Sequence, residues 1–80
     1  MNMTTMETLN DIFRLVFDDD EILINLEMTA NDVDGWDSLS HVNLITAVEA
    51  KFKIRFNQKE LLTMKNIGDL FNAIQSKKIN

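Results

Sequence analysis

The chain contains no proline and only two glycines among its 80 residues. Sheets joined by tight turns depend on these two residue types, so their scarcity favours helices with irregular connections. A length of 80 residues suits one domain, close to the size at which a single hydrophobic core is only just sufficient. There is no cysteine, which excludes disulfides, thiolate metal sites and a built-in thiol nucleophile. We therefore predict a single all-α domain over residues 1–80.

The first helix is predicted to begin near Thr4, because Thr4 and Glu7 have the spacing of a capping box. Apolar residues then recur at helical spacing: Met6, Leu9, Ile12, Phe13, Val16 and Phe17. The acidic run 18–21 ends this pattern, and we interpret it as a solvated helix end or loop rather than a metal site. The long connection over 22–36 is expected to be pinned to the core by its apolar residues, Ile22, Leu23, Ile24, Leu26, Met28 and Val33.

A second helix is predicted from about Ser38 to Phe52, with Leu44, Ile45 and Val48 facing the core beside Phe52. Residues 53–57 alternate polar and apolar, but no partner strand is evident, so we interpret them as an extended connector. A short helix over roughly Gln58 to Thr63 and a last helix capped by Asn66 would follow, the latter burying Ile67, Leu70, Phe71 and Ile74. The predicted fold is an antiparallel four-helix bundle, with three main helices, one short helix and a long first loop.

The net charge is −5, from 13 acidic residues against 8 lysines and arginines. This balance argues against binding to nucleic acid or to an anionic membrane, and it favours partners with basic docking surfaces. No apolar run approaches membrane-spanning length, and the N-terminus lacks the regions of a signal peptide. We expect a cytoplasmic monomer.

The stretch over 34–42, Asp-Gly-Trp-Asp-Ser-Leu-Ser-His-Val, places the Ser38 hydroxyl where an irregular loop meets a helix N-terminus. Unpaired N–H groups and the helix dipole favour a phosphate there, by about 0.3–1 kcal/mol at an exposed site. Asp37 beside it could help to hold Mg²⁺ while a separate enzyme delivers a phosphate-bearing group. In the simpler interpretation, Asp37 or Ser38 only caps the helix.

The predicted second helix also carries a second stripe, formed by Leu39, Val42 and the methyl group of Thr46. This stripe is centred roughly 130° from the core-facing one. Because one helix of a small bundle cannot easily bury both stripes, we expect the second to stay partly exposed as a partner surface.

Asp37-Ser38-Leu39, followed by a helix with Val42, Leu44, Ile45, Val48, Glu49 and Phe52, resembles the acyl carrier protein family. The resemblance extends over essentially the whole chain, including the Phe52-x-Ile54-x-Phe56 exit and the Asn66-Ile67-Gly68-Asp69-Leu70 start of the last helix. It implies that a phosphopantetheinyl transferase moves 4′-phosphopantetheine from coenzyme A onto Ser38, with magnesium present during transfer. The arm would then carry acyl groups as thioesters to loading and processing enzymes, and the carrier itself would catalyse nothing. By position, the resemblance implies a docking surface of Asp37, Leu39, Val42, Asn43, Thr46, Glu49 and Phe56.

The second helix lacks the dense acidic face that fatty-acid carriers usually display, because Glu49 stands almost alone among Ser40, His41, Asn43, Ala50 and Lys51. Together with Gly35-Trp36 before the motif, this resembles specialised carriers more than the housekeeping fatty-acid type. The resemblance therefore implies a dedicated pathway, such as polyketide-like, aminoacyl (including D-alanyl) or surface-glycan chemistry, and partner enzymes of fatty-acid biosynthesis stay open as well. A helical interaction module with an unmodified serine remains the alternative.

Three other features of the motif region are given structural interpretations. A calcium-binding loop aligned on Gly35 would put Ala30 at its first position and His41 at its twelfth, where carboxylates are required. We therefore reject a calcium site. We interpret His41 as a partly buried structural residue, and Trp36 as an anchor of the loop against the bundle.

Overall fold

The protein is described by a computed structural model over residues 4–77, and its regular elements are all helical. The helices are α1 (Thr5–Val16), α2 (Ser38–Phe52), α3 (Gln58–Leu62) and α4 (Ile67–Lys77). A single 3-10 turn, Ala30–Asp32, interrupts the long connection between α1 and α2. Residues 4–77 contain no strand, and 54–57 form an extended connector. The predicted all-α fold, with three main helices, one short helix and a long first loop, is confirmed.

The core is built where α1, α2 and α4 meet, from the apolar stripes that the sequence predicts. Its fully buried side chains are Leu9, Phe13, Leu44, Val48, Ile67 and Ile74. The outer members of the stripes are half-buried and pack against this core: Met6, Val16, Phe17, Phe52 and Phe71. A helix periodicity near 3.6 residues brings these positions to one side of each helix, and burying them stabilises the bundle.

Side-chain caps define where the helices begin. The predicted capping box at α1 is present, with the Glu7 N–H donating to Thr4 Oγ1 at 3.0 Å and the Thr4 N–H donating to Glu7 Oε1 at 2.8 Å. The predicted cap of α4 is confirmed as well, because Asn66 Oδ1 accepts the Asp69 N–H at 2.8 Å. These bonds satisfy N–H groups that have no partner within the helix.

The long loop is fastened to the bundle by apolar side chains and by its backbone, which corrects part of the sequence prediction. Ile24 and Val33 are buried and Ile22 and Met28 pack against the core, as expected, but Leu23 is 75% exposed and Leu26 46% exposed. These two leucines are therefore not anchors. The side chains of Asn10 and Arg14 instead bind the Ile22 carbonyl, at 3.1 and 2.8 Å.

The other side of the loop lies against the start of α4. The first N–H groups of that helix donate to loop carbonyls, Ile67 to Met28 at 2.9 Å and Gly68 to Leu26 at 2.8 Å. Such N–H groups cannot be satisfied within their own helix, so the loop acts as a backbone cap for α4. The loop that precedes α2 is thereby held by both α1 and α4.

Candidate functional site

The turn leading into α2 is fixed by a set of short hydrogen bonds. Gly35 has a φ of +86°, a conformation that glycine adopts without steric cost. Asp37 is the N-cap, and its Oδ1 accepts the Ser40 N–H at 2.9 Å. The Ser40 hydroxyl donates to the Gly35 carbonyl at 2.7 Å. The polar side chains on either side of Ser38 are thus already committed to shaping the turn.

Ser38 differs from these neighbours. It is the first residue of α2 and is exposed, and its hydroxyl makes no hydrogen bond to any residue in the described range 4–77. Of the two residues that the sequence proposed as caps, Asp37 performs that role and Ser38 does not. The Ser38 oxygen therefore stands free at the helix N-terminus, where α2's first N–H groups favour a phosphate.

The Asp37 carboxylate is stabilised in its ionised form by the turn. Its hydrogen bond from the Ser40 backbone N–H is the main cause that lowers the pKa of Asp37 below its ordinary value of 3.8. Because magnesium is commonly held by one or two carboxylates together with substrate phosphates, this carboxylate suits the cation role that the sequence suggests. Residues 4–77 contain no group of three or more acidic or histidine side chains that could hold a metal ion by themselves.

Trp36 joins the turn to α1, as predicted. Its indole packs edge-on against Phe13, with ring centroids 5.4 Å apart, and lies 5.8 Å from the Phe17 ring. The indole N–H donates to His41 Nδ1 at 3.1 Å. His41 is half-buried and structurally bonded, which is the interpretation favoured by the sequence.

A cleft of about 470 Å³ opens beside Ser38, between the start of α2 and the segment that joins α3 to α4. A volume in this range is large enough for a small organic group. Its lining combines apolar and polar side chains: Ala30, Trp36, Met64 and Leu70 with Asp37, Ser38, His41, Lys65 and Asn66. The cleft brings together the motif and the 64–66 segment, which the sequence did not connect.

The residues predicted to form a docking surface fall into two groups. The α2 residues Leu39 and Val42 are 71% and 60% exposed, and Asn43 and Thr46 are also exposed. Glu49 and Phe56 are half-buried and bonded to each other, because the Phe56 N–H donates to Glu49 Oε2 at 2.9 Å. The structure therefore gives Glu49 and Phe56 a role in holding the 53–57 connector. Contact of these six residues and of Asp37 with a partner stays a prediction.

Sequence reasoning missed the polar residues that position the long loop. Asn10 is buried, with an exposed fraction of 8%; its amide group binds the Ile22 carbonyl and also accepts the Ile24 N–H at 2.7 Å. The available signal was the spacing of Asn10 and Arg14, which at i and i+4 share one face of α1. Only the folded loop shows what that face binds.

The fold and the motif together define the class of protein: it is a small helical bundle in which an exposed serine begins the second helix. Residues 4–77 include no helix long and apolar enough to cross a membrane. No protein-family model matches the chain. The acyl carrier protein homolog of Ureaplasma parvum serovar 3 is 29% identical over 69 residues, covering 84% of this chain and 90% of the relative.

Solved structures extend this similarity. The holo acyl carrier protein from Geobacter metallireducens, whose solution structure is known, is 51% identical in sequence to this chain. The two structures superpose with a TM-score of 0.87, and the match covers 94% of this chain and 86% of that one. A candidate acyl carrier protein from Mycobacterium tuberculosis shares the fold, with a TM-score of 0.82 over 91% of this chain and 97% of that one, at 23% identity. The chain belongs to the acyl carrier protein family. Members of this family carry groups for other enzymes rather than transforming them.

Proposed function

We propose that Ser38 is the attachment point for 4′-phosphopantetheine and that the protein carries acyl or related groups as thioesters on this arm. One observation carries the proposal: the Ser38 hydroxyl is exposed and unbonded within residues 4–77, while Asp37 and Ser40 beside it are held in the turn. A transferase can therefore reach this oxygen without breaking a bond that supports the fold.

The residues of the turn fit such a group. In the transfer from coenzyme A, Ser38 Oγ forms the new bond to phosphorus, its proton passes to the transferase, and the adenosine-bisphosphate part of coenzyme A leaves. The Asp37 carboxylate would share Mg²⁺ with the incoming phosphate. When bound, the arm supplies the terminal thiol that this cysteine-free chain lacks, and acyl groups attach to it as thioesters.

We propose that partner enzymes dock on the exposed surface of α2. Leu39 and Val42 offer apolar contact area directly after the attachment site, and Asn43 and Thr46 extend this surface by one further turn. Glu49 and Phe56 would form its far edge. A contiguous exposed apolar strip of this kind typically marks a partner surface.

The weakly charged α2 favours a dedicated pathway over housekeeping fatty-acid synthesis. Glu49 is the one acidic residue within Ser38–Phe52, and its carboxylate is already bonded to the Phe56 backbone. Partners that recognise this helix would rely on apolar contact more than on a row of basic residues. Polyketide-like, aminoacyl or D-alanyl cargo therefore fits better than bulk fatty-acyl cargo. We also propose that the protein acts as a monomer in the cytoplasm.

The decisive experiment is intact-protein mass spectrometry after incubation with coenzyme A and a broad-specificity phosphopantetheinyl transferase. The wild-type chain should gain the mass of one 4′-phosphopantetheine group, and peptide mapping should place it on Ser38. Ser38→Ala should gain nothing while keeping the wild-type circular dichroism spectrum and melting temperature, because the hydroxyl supports no contact within residues 4–77.

Ser76→Ala is a matched control, since Ser76 is exposed on α4, far from the motif in sequence. It should be modified like the wild type. A wild-type chain that stays unmodified with several transferases, or a Ser38→Ala variant that is still modified, would contradict the proposed attachment site.

A further inference from the structure

We propose that the imidazole Nε2–H of His41 donates a hydrogen bond to the phosphodiester that joins the arm to Ser38. The proposal rests on the proposed function above and deepens it. It makes His41 a positioning residue for the arm, in addition to its structural bond with Trp36. Three features of His41 support this role: its tautomer, the rigidity of its ring and its place in the cleft.

The bond with Trp36 decides which imidazole nitrogen carries the proton. Trp36 Nε1 lies 3.1 Å from His41 Nδ1. An indole nitrogen can only donate, so Nδ1 must accept, and the proton of the neutral imidazole must be on Nε2. The two ring planes are inclined by only 17°, with centroids 6.1 Å apart. This suits an edge-to-edge bond, because the lone pair of Nδ1 lies in the plane of the imidazole.

The His41 ring is held from the core of the protein through Trp36. The indole packs against Phe13 and Phe17 on α1, with centroids 5.4 and 5.8 Å away. His41 is therefore ordered before any ligand is present. A donor that is already oriented loses less conformational entropy when it binds an acceptor.

The free edge of His41 shares a cleft with Ser38. Both residues line the 470 Å³ cleft, and His41 is half-buried there. They are three residues apart on α2, a spacing that places their Cβ atoms about 5–6 Å apart. Helical side chains also tilt towards the N-terminus, which directs His41 back to the turn that carries Ser38. No group within residues 4–77 accepts the Nε2–H, so it is available to a ligand in the cleft.

The chemistry of the cleft fits a phosphodiester. This group is anionic and can only accept hydrogen bonds, and attachment to Ser38 Oγ holds its phosphorus within one helical turn of His41. Lys65 lines the same cleft and adds a positive charge. Asp37 is the acidic side chain of the lining, and its Oδ1 accepts the Ser40 N–H.

The test is NMR spectroscopy of the intact chain before and after loading with the arm. The sequence has one histidine and one tryptophan, and the loaded protein has one phosphorus atom, so each signal is unambiguous. In the unloaded protein His41 should show the Nε2–H tautomer. On loading, its Nε2 and Nε2–H resonances should shift, and the Nε2–H should exchange more slowly with water.

Substitutions separate the two bonds of His41. His41→Asn keeps an acceptor near the Nδ1 position for Trp36 but cannot reach the phosphodiester. The ³¹P resonance of the loaded His41→Asn variant should therefore move towards the resonance of the same arm on an unstructured serine peptide. Lys51→Asn, the same change at an exposed position further along α2, should keep the wild-type ³¹P resonance. Trp36→Phe removes the donor to Nδ1, and its His41 should become a mixture of tautomers.

The outcomes distinguish this proposal from the proposed function. A loaded wild-type protein whose His41 resonances match those of the unloaded form would overturn the role of His41 while leaving Ser38 as the attachment site. The wild-type comparison decides this even if His41→Asn fails to fold. Absence of any loading at Ser38 would instead remove the proposed function itself.

Discussion

Ser38 and Ser40 show how strongly the surroundings of a residue decide its role. Both are serines in the first turn of α2, two positions apart. The Ser40 hydroxyl is bonded to the Gly35 carbonyl, whereas the Ser38 hydroxyl is exposed and makes no bond within residues 4–77. The difference comes from side-chain direction, since only Ser40 points back towards the turn. A modifying enzyme would therefore meet one hydroxyl and not the other.

Gly35 and Gly68 are required for different reasons, so substitutions at the two positions should lower stability in different ways. A Cβ on Gly68 would lie 2.8 Å from the Leu26 carbonyl oxygen, whereas a Cβ on Gly35 would meet nothing within 4 Å. Gly68→Ala should lower the free energy of unfolding by about 1–3 kcal/mol, because the loop must shift away from α4. Urea denaturation followed by circular dichroism measures this.

Asparagine serves as the control, because it tolerates positive φ better than alanine does. Gly35→Asn should cost less than Gly35→Ala, since only the backbone conformation is at stake there. Gly68→Asn should cost at least as much as Gly68→Ala. A Gly68→Asn variant that is more stable than Gly68→Ala would contradict the steric explanation for Gly68. Equal costs of asparagine and alanine in place of Gly35 would contradict the backbone explanation for that glycine.

At the scale of elements, α2 performs two tasks on two faces. Its inner face supplies Leu44 and Val48 to the core, both fully buried. Its outer face leaves Leu39 and Val42 exposed beside Ser38. The helix therefore anchors the attachment site from one side and offers contact area from the other.

This division of faces predicts opposite effects for similar substitutions. Leu39→Ala and Val42→Ala should change the free energy of unfolding by less than about 0.5 kcal/mol, because the side chains are largely exposed. Both should weaken binding to the transferase and to processing enzymes, as measured by calorimetry or surface plasmon resonance. Leu44→Ala should instead cost about 2–5 kcal/mol of stability. If the outer-face variants unfold the domain with partner affinity unchanged, the assignment of the two faces is wrong.

The contact between α1 and the long loop makes a second prediction at this scale. Asn10→Ala removes a buried amide group that serves both the Ile22 carbonyl and the Ile24 N–H. Leaving these groups without partners should cost about 1–3 kcal/mol. Hydrogen exchange should also accelerate at the Ile24 amide. Asn72→Ala, on an exposed position of α4, should leave both measurements unchanged.

At the scale of the whole molecule, charge is distributed unevenly along the chain. Residues 18–37 contain eight acidic and no basic residues, while residues 51–78 contain seven of the eight lysines and arginines. The acidic loop therefore leads directly into the attachment site, and the apolar face of α2 follows it. A partner with a basic rim around an apolar patch would match this arrangement.

The capping carboxylates predict how the fold responds to acid. Hydrogen bonds from the backbone N–H groups that they cap lower the pKa values of Glu7, Asp37 and Glu60. Because the folded state holds fewer protons on these groups than the unfolded chain, their contribution is present above the ordinary values of 4.5, 3.8 and 4.5. It is lost as the pH falls through the lowered values.

The melting temperature should therefore fall as the pH drops below about 4.5 and should level off once all three groups are protonated. An Asp37→Asn variant keeps a capping oxygen without the titration, so its melting temperature should depend less steeply on pH in this range. A dependence as steep as that of the wild type would show that Asp37 does not contribute.

Local sequence patterns were enough to predict the helices, the caps of α1, α2 and α4, and the position of the motif. Each depends on local patterns: apolar spacing gives α1, α2 and α4, and short polar side chains near their starts mark Thr4, Asp37 and Asn66 as candidate caps. Only the tertiary structure decided how the loop is fastened, because backbone carbonyls carry no sequence signal and Asn10 meets Ile22 and Ile24 only after folding. It also decided that Leu23 and Leu26 stay exposed, that Glu49 holds the Phe56 backbone, and that His41 and Lys65 share a cleft with Ser38. Each of these features depends on how the helices and the loops pack against one another, so none of them follows from local propensity.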